Sequence, residues 1–235
     1  MKIIVTGAGG RMGAQVCALL GEDAVRVDPT LEIKNISEVD EECRGIIDFS
    51  HHTAAPGICE YAVKHGLPTV IATTGHTPDE LEAIEAAAKC VPVFFSANMS
   101  LGVAALCTLA RRAAELFPGA DIEIVECHHS RKLDAPSGTA LMLAREIAEA
   151  RQGTKFVYGR VGQAKREPGE IGIHALRMGN IVGEHSVIIS TDTQRLTLKH
   201  EAMDRKLFAE GAHDALEFIA GKGAGLYGMK DMVGK

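Results

Sequence analysis

The sequence lacks features that mark several large classes of protein. Its 235 residues contain no apolar run of the ~18 to 20 residues that a bilayer-spanning helix needs. No internal repeat or low-complexity tract is present, and the net charge is -6, whereas a nucleic-acid binder needs a basic face. We therefore expect a protein that binds neither membranes nor nucleic acid.

The cysteines show no pairing pattern. All six are widely spaced, no CxxC pair occurs, and Met1 leads directly into the strand-like KIIVTG without a signal-peptide pattern. These features predict free thiols, no metal site and a cytoplasmic location. Cys127 differs, because neighbouring His128 and cations favour a lowered thiol pKa, although strand alternation turns Cys127 away from His128.

The order of apolar patterns predicts two kinds of architecture. Strands and helices alternate from Lys2 to Ser96, which is typical of an α/β fold with a doubly wound parallel sheet. After Asn98 we expect helices at 101–116 and 137–151. Strands joined by glycine or polar turns then indicate an antiparallel or mixed sheet. A final helix is predicted from Asp204 to Ile219, while the strand between the two middle helices is expected at Asp121 to Glu126.

A glycine-rich turn follows the first strand. Gly7, Gly10 and Gly13 have GxxGxxG spacing and open a helix, so the backbone can approach a pyrophosphate at the helix N-terminus. The same glycines would also suit a simple tight turn between strand and helix. Asp28, at the end of the second strand, is placed to bind a ribose 2′-hydroxyl and repel a 2′-phosphate; otherwise it is a surface aspartate before a proline turn.

The segment ECHHSRKLDAPSGTA, from Glu126 to Ala140, concentrates groups that handle charge. His128 and His129 can titrate near neutral pH, Lys132 supplies fixed positive charge, and the segment also opens a helix whose amides can hold a carboxylate. Such a cluster is costly unless an anion lies within it. The pattern indicates a site for proton transfer to an anion, against the alternative of a well-capped helix beside two surface histidines.

This segment and the glycine turn resemble the 4-hydroxy-tetrahydrodipicolinate (dihydrodipicolinate) reductase family, whose members are NAD(P)H-dependent enzymes of the diaminopimelate route to lysine. The string HHxxKxDAPSGTA carries most of the specificity, and the resemblance covers nearly the whole chain. Further matching segments are IIDFS at 46–50, ATTG at 72–75, SANMSLGV at 96–103, EIGIHALRMGNIVGEHSV at 170–187 and KHEAMDRKLFAEGA at 199–212.

The resemblance implies a Rossmann-like dinucleotide-binding domain at 1–99 and 205–235. It also implies a mixed α+β domain at 100–204 that binds a small dicarboxylate substrate and assembles a homotetramer. NADH is expected to be preferred over NADPH because of Asp28. The cofactor residues that it implies are Gly7, Ala8, Gly9, Gly10, Arg11, Met12, Asp28, Ala72, Thr73, Thr74, Ser96, Ala97, Asn98 and Met99.

For the chemistry, the resemblance implies His128 as general acid and Lys132 as a cationic donor in catalysis and substrate binding. His129, Gly138 and Thr139 match its carboxylate contacts, and Arg205 matches a hinge or substrate-side arginine. Two other functions stay open. A related amino-acid or imino-acid dehydrogenase would not need HHxxKxDAPSGTA, and a nucleotide-sensing regulator would be expected to lack His128 or Lys132.

Of the eight histidines outside that string, six bear on the prediction. His51 and His52 follow the third strand and favour a helix-starting loop near the cofactor over a metal site, because no matching ligand set is evident. The remaining ones are dispersed and are expected to be structural. They are His174, His185, His200 and His213.

Overall fold

A computed structural model describes residues 1–234. The chain divides into two compact units, of which the first comprises Met1–Leu101 and the residues from Arg205 onward, and the second comprises Gly102–Asp204. The strands are β1 (Lys2–Thr6), β2 (Ala24–Val27), β3 (Cys43–Asp48), β4 (Thr69–Ile71), β5 (Pro92–Phe95), β6 (Asp121–His128), β7 (Lys155–Tyr158), β8 (Glu170–Arg177), β9 (Gly183–Ser190), β10 (Arg195–Ala202) and β11 (Gly225–Tyr227). The helices are α1 (Arg11–Leu20), α2 (Ala55–His65), α3 (Pro78–Ala88), α4 (Leu101–Leu116), α5 (Gly138–Ala150), α6 (Lys206–Ile219) and α7 (Met229–Val233).

The first unit is built on a six-stranded parallel sheet in the order β11-β5-β4-β3-β1-β2. Consecutive Ile3 and Ile4 on β1 are both buried, but they pack into different clusters, as expected for a strand covered on both faces. Ile4 packs with residues of α2 and α3, and Ile3 with residues of α1 and α6. This architecture confirms the predicted doubly wound parallel sheet.

The order of the strands identifies where a ligand would bind. β1 lies between β2 and β3. After β1 the chain adds β2 on one side, and β3, β4 and β5 are then added on the other side, so the direction in which strands are added reverses at β1. Ligands of open parallel sheets bind outside the carboxyl ends of strands at such a reversal. Thr6 ends β1 and Asp48 ends β3, which places both residues at this position.

The second unit contains a five-stranded sheet in the order β10-β9-β6-β8-β7. β8 pairs in parallel with β6 and β7, whereas β9 pairs antiparallel with β6 and β10, so the sheet is mixed as predicted. One face, here called the covered face, packs Ile122 and Ile124 of β6 against residues of α4 and α5. The opposite face, here called the open face, carries Glu123 and Val125, which are only partly buried.

Helix α4 follows the predicted bounds because its buried positions recur with helical spacing. They include Val103, Leu106, Cys107, Ala110 and Ala114. In the first unit, α3 begins with a capping box in which Thr77 and Glu80 satisfy each other's backbone amides. Within residues 1–234, no helix combines the length and the apolar character that crossing a membrane requires.

Some elements differ from the sequence-based prediction. β6 continues two residues past Glu126 because Cys127 pairs with Glu184 and His128 pairs with Arg177. β11 and α7 were not predicted, and α6 begins at Lys206. Cys127 does face away from His128, but burial, followed by Glu184 and Glu126, raises the pKa of its thiol, so the expected lowering is wrong.

Candidate active site

The glycine turn of the first unit is shaped by close backbone contacts. Gly7 has φ +73, and a Cβ there would lie 2.4 Å from the carbonyl oxygen of Phe49. A Cβ on Gly13 would lie 2.0 Å from the carbonyl oxygen of Gly7, so α1 can start this close to β1 only with glycine at that position. The turn thus leaves its backbone and the N-terminus of α1 accessible to a phosphate.

Asp28 lies beside this turn. One carboxylate oxygen accepts from the Gly9 amide at 3.1 Å, and the other accepts from the amide and hydroxyl of Thr30 at 2.9 and 2.6 Å. A side chain at residue 9 would displace this carboxylate, since a Cβ would lie 2.9 Å from Asp28 Cγ. The Thr30 hydroxyl, the Thr30 amide and the Gly9 amide hold the pKa of Asp28 below its ordinary value, so the carboxylate is ionised at neutral pH.

Asp48 organises the adjoining strand ends. Its buried carboxylate accepts hydrogen bonds from the hydroxyls of Thr6, Ser50 and Thr73 at 2.7, 2.5 and 2.6 Å. The loops after β1, β3 and β4 are therefore fixed to one buried carboxylate, which offsets the cost of removing it from water. The sequence did not single out Asp48, although the DFS segment contains it.

Two cavities adjoin these strand ends. The larger, of about 570 Å³, is lined by Gly7, Gly10 and Asp28 and also by Lys34, a cation that was not predicted. The smaller measures about 440 Å³ and shares Phe49, Ser50 and His51 with the larger. Five predicted cofactor residues line the smaller cavity: Arg11, Met12, Ala72, Thr73 and Thr74.

The remaining predicted cofactor residues lie in the glycine turn or in the loop after β5. Ala8 is buried at the turn. In the later loop, the Ser96 hydroxyl donates to the Asn98 carbonyl at 2.8 Å, Ala97 is exposed between them, and Met99 is buried. Neither Ala8 and Gly9 nor the loop at 96–99 lines the two cavities.

The His51-His52 pair starts a helix, as predicted. His51 caps the 3-10 turn that precedes α2, and His52 Nδ1 pairs with the Glu80 carboxylate at 2.8 Å. This pair ties the loop after β3 to the start of α3. Among residues 1–234, no three histidine, cysteine or acidic side chains form a group that would hold a metal ion.

In the second unit, the covered face ends in a polar cluster centred on Glu126. His128 Nδ1 lies 2.6 Å from Glu126 Oε2, and the guanidinium of Arg177 binds both carboxylate oxygens at 2.8 Å. The Ser137 amide donates to Oε1 at 2.9 Å. Burial raises the pKa of Glu126, but the hydrogen bonds from Arg177, His128 and Ser137 outweigh it and hold the pKa below its ordinary value.

His185 extends this cluster. Its ring centroid lies 5.2 Å from that of His128, and Nε2 lies 3.1 Å from the Ser137 hydroxyl. Burial, followed by the positive charge of His128, lowers the pKa of His185 to about 4, so this ring is neutral at physiological pH. The expectation that His185 is dispersed is wrong, since β9 pairs it directly with Glu126 on β6.

Lys132 and His129 follow β6 in the loop toward α5. The His129 amide donates to the Ile181 carbonyl at 2.8 Å, and the Lys132 amide donates to the His129 carbonyl at 3.1 Å. Lys132 Nζ forms an ion pair with Asp134 at 2.8 Å. The charge of Lys132 also contributes to lowering the pKa of His185, so Lys132 acts on the cluster electrostatically.

Helix α5 begins beside the cluster. Ser137 is its N-cap, with the hydroxyl accepting from the Ala140 amide at 3.3 Å, and Gly138 and Thr139 are its first two residues. Its positive helix end favours an anion. Arg205, in the first unit, is the N-cap residue of α6, and its predicted role stays a prediction.

Glu126, Arg177 and His185 were not predicted as site residues. The spacing of Glu126 and His128 at i and i+2 places them on one strand face and could have identified the pair. Arg177, however, is 51 residues from Glu126 in sequence, and His185 is 48 residues from Ser137. Only the pairing of β6 with β8 and β9 brings these side chains together.

The two units together define a class of protein. The first has a glycine turn, an ionised aspartate after the second strand and a cavity of about 570 Å³ at the strand reversal, which suit a dinucleotide. The second places imidazoles and cations at a helix N-terminus, which suits proton transfer to an anion. These are the features of a Rossmann-type, nicotinamide-dependent oxidoreductase.

The chain belongs to the dihydrodipicolinate reductase family. The model of the family's N-terminal part, "Dihydrodipicolinate reductase, N-terminus", matches residues 1–99. The model of its C-terminal part, "Dihydrodipicolinate reductase, C-terminus", matches residues 102–233. The resemblance inferred from the sequence motifs is thereby confirmed.

Two relatives that align over nearly their whole length carry the same name. The 4-hydroxy-tetrahydrodipicolinate reductase of Caldanaerobacter subterraneus subsp. tengcongensis is 42% identical, with 100% of this chain and 99% of the relative covered. That of Alkaliphilus metalliredigens is also 42% identical, over 100% of this chain and 99% of its own length.

Solved structures agree on the fold. A dipicolinate-bound dihydrodipicolinate reductase from Paenisporosarcina sp. TG-14 has a TM-score of 0.79 at 22% identity, over 99% of both chains. An aspartate dehydrogenase from Thermotoga maritima has a TM-score of 0.52 at 13% identity, over 94% of this chain and 97% of that one. Both likenesses concern the fold alone, and the second extends to an amino-acid dehydrogenase.

Proposed function

We propose that this protein catalyses the NAD(P)H-dependent reduction of 4-hydroxy-tetrahydrodipicolinate to tetrahydrodipicolinate, in the diaminopimelate route to lysine. The observation that carries the proposal is the cluster at the end of β6. There His128, hydrogen-bonded to a buried carboxylate at 2.6 Å, precedes Lys132 and the N-terminus of α5. These groups supply what reduction of a cyclic dicarboxylate requires: a proton donor and anion-binding groups.

The proposed reaction consumes one hydride and one proton and releases one water. The 4-hydroxy substrate loses water, a hydride adds to one carbon of the resulting C=C bond, and a proton adds to the neighbouring carbon. A nicotinamide cofactor held by the first unit would supply the hydride and be oxidised. His128 supplies the proton, and Lys132 stabilises the negative charge that develops before protonation.

Substrate binding rests on the segment around α5. The backbone at Gly138 and Thr139 lies at the positive end of the helix, where a carboxylate is stabilised. His129 lies in the preceding loop and is assigned to the same carboxylate. Asp134 pairs with Lys132 here, so substrate carboxylate and Asp134 compete for one ammonium group. Arg205 is retained as a hinge or substrate-side cation.

The first unit is assigned the dinucleotide. Gly7, Gly10 and Arg11 would hold the pyrophosphate at the N-terminus of α1, and Asp28 would bind the adenosine ribose. The loops at 72–74 and 96–99 would lie along the nicotinamide half. The close approach that Gly7 and Gly13 permit fits this role, because a Cβ at either position would meet backbone within 2.4 Å.

NADH is the preferred cofactor in this proposal. Ionised Asp28 repels a 2′-phosphate, while Lys34, in the same cavity, attracts one. Asp28→Asn should lower the ratio of kcat/KM for NADH to that for NADPH, and Lys34→Ala should raise it. An unchanged ratio in Asp28→Asn would reject the role given to Asp28.

We also assign the open face to self-association, as a homotetramer in the cytoplasm. Leu176 is 45% exposed there, and Val125 and Ile188 on the same face are partly exposed, so one more layer would bury them. Sedimentation velocity should give a tetramer for the wild type and smaller species for Ile188→Lys. A monomeric wild type would reject this assignment. The six free cysteines suit a reducing compartment.

The reaction itself is tested by following NADH and NADPH oxidation at ~340 nm, with substrate generated from pyruvate and aspartate semialdehyde by the preceding synthase. Wild type should turn over, and Lys132→Met should lose about 10²- to 10⁴-fold in kcat/KM. Asp134→Asn, which removes the partner of Lys132, is the control and should retain turnover. A folded wild type without turnover would reject the proposed function.

A further inference from the structure

Glu126 is the most completely buried carboxylate of the second unit, and the proposed reaction assigns it no role. Its exposed fraction is 0%, and both oxygens accept hydrogen bonds. Oε1 accepts from Arg177 and the Ser137 amide, and Oε2 accepts from Arg177 and lies 2.6 Å from His128 Nδ1. The Arg177 and Ser137 donors already supply N–H groups to both oxygens, so the carboxylate is satisfied only when it is ionised and both oxygens are acceptors.

This arrangement determines which nitrogen of His128 carries hydrogen. An ionised carboxylate can only accept, so the nitrogen that faces it at 2.6 Å, Nδ1, must be the donor. In the neutral ring, Nε2 is then the nitrogen without hydrogen. The bidentate guanidinium of Arg177 fixes the plane of the carboxylate and therefore the orientation of the imidazole.

Space at Nε2 is kept by a glycine on the neighbouring strand. A Cβ at Gly183 would lie 3.0 Å from His128 Nε2, closer than ordinary van der Waals contact. The neighbouring ring of His185 is neutral and adds no charge at this side. The strand pairing thus holds Nδ1 and keeps Nε2 accessible.

We propose that Glu126, fixed by Arg177, is a positioning residue that holds His128 in its Nδ1–H form, so that Nε2 exchanges the proton with the substrate. The inference rests on the proposed function and adds to it the identity of the working nitrogen. Besides accepting a hydrogen bond from the Ser137 amide, the Glu126 carboxylate stabilises the imidazolium of His128 before the proton leaves and favours one neutral tautomer afterwards.

Several charged groups influence His128 besides Glu126. Arg177 on β8 binds the same carboxylate, and Lys132 in the following loop forms an ion pair with Asp134. His185 is neutral on β9, and burial lowers the pKa of His200 on β10. Among residues 1–234, Glu126 is the only carboxylate that is hydrogen-bonded to His128. Its removal should therefore make the electrostatic potential at the His128 ring more positive.

Glu126→Gln tests the proposal because an amide has one oxygen, whereas the native donors occupy two. Its NH₂ group must face either His128 Nδ1 or the Ser137 and Arg177 donors. We expect kcat to fall about 10²-fold with KM changed less than about threefold. The alkaline limb of the kcat/KM profile should move to lower pH, since the imidazolium loses its counter-charge.

The tautomer can be read without turnover. In wild type labelled with ¹⁵N-histidine, the ring nitrogens of His128, assigned through His128→Gln, should show a protonated Nδ1 at alkaline pH. In Glu126→Gln the Nδ1–H fraction should fall and the Nε2–H fraction should rise, because the side chain no longer presents only acceptor atoms to Nδ1. Glu123→Gln is the matched control, because Glu123 on the same strand also binds a histidine and an arginine but lies on the open face. It should change neither the tautomer nor the alkaline limb.

Gly183→Ala provides a second variant that leaves Glu126 in place. The tautomer of His128 should remain Nδ1–H while kcat falls about tenfold, because the added methyl obstructs Nε2. Wild-type turnover together with an Nε2–H tautomer, or an unchanged tautomer and pH profile in Glu126→Gln, would overturn the inference and leave the proposed function standing. A wild type that shows the Nδ1–H tautomer but no turnover would reject the function instead.

Discussion

The two faces of the five-stranded sheet carry the same trio of residue types, with different surroundings. On the covered face, the side chains of Glu126, His128 and Arg177 are 0%, 11% and 18% exposed. On the open face, those of Glu123, His174 and Arg166 are 29%, 32% and 20% exposed. In each trio the carboxylate binds one histidine and one arginine.

The comparison shows that burial, not composition, distinguishes the covered-face cluster from an ordinary ion-pair cluster. A charge pair near solvent contributes little because water screens it, whereas buried partners depend on one another. The carboxylate also binds different nitrogens: Nδ1 of His128 but Nε2 of His174. Only on the covered face does the N-terminus of α5 join the cluster, through Ser137.

The largest expected difference concerns stability. Glu126→Leu leaves a buried guanidinium and imidazole without their carboxylate, and we expect a loss of about 3 to 5 kcal/mol in the free energy of unfolding. Glu123→Leu should lose about 1 kcal/mol or less. Urea unfolding of the protomer, at a protein concentration too low for self-association through the open face, measures both. Equal losses would contradict the distinction between the faces.

The next expected difference is that titratable groups on the covered face make the free energy of unfolding depend on pH. His185 has a pKa of about 4 in the folded chain against an ordinary 6.5, so the unfolded chain binds more protons between those values. The free energy of unfolding should therefore fall as pH drops from 6.5 to 4, by at most about 3 kcal/mol from this residue. Glu126, whose pKa is lowered, adds to the loss below its ordinary value of 4.5.

His185→Phe keeps an aromatic ring beside His128 and removes the titration, so its stability should depend less on pH in this range. A slope that is the same in wild type and His185→Phe would show that His185 does not remain neutral on folding.

Salt should produce the smallest difference. In the protomer, the Glu123 carboxylate is partly exposed to counter-ions. The effect of Glu123→Gln on the free energy of unfolding of the protomer, about 0.5 kcal/mol, should therefore shrink further in ~1 M NaCl. The effect of Glu126→Gln should change little, because its partners are screened less. Parallel unfolding curves at low and high salt check this, and equal salt sensitivity would contradict it.

The sequence predicted what depends on local pattern. Helix α4 has the predicted bounds because its apolar residues recur with helical period, and Ser137 caps α5 because serine followed by a helical pattern favours an N-cap. The parallel sheet of the first unit followed from alternating strands and helices. The glycine turn followed from its spacing, and its backbone contacts explain each glycine.

What the sequence did not predict depends on distant pairing. β6 extends to His128 because Arg177 on β8 is its partner, and β11 has only three residues, held by parallel pairing with β5. Lys34 enters the larger cavity although it lies beyond β2. The positions of Arg177 and His185 beside Glu126 likewise arise from strand register, which no local pattern specifies.

The most direct test of the account compares the two histidines on opposite faces. The kcat for NADH oxidation, with the substrate supplied by the preceding synthase, should fall about 10²- to 10⁴-fold in His128→Gln. It should stay within about threefold of wild type in His174→Gln, because that pair is partly exposed. Equal loss in both variants, or full activity in His128→Gln, would contradict the claim that the covered face carries out the proton transfer.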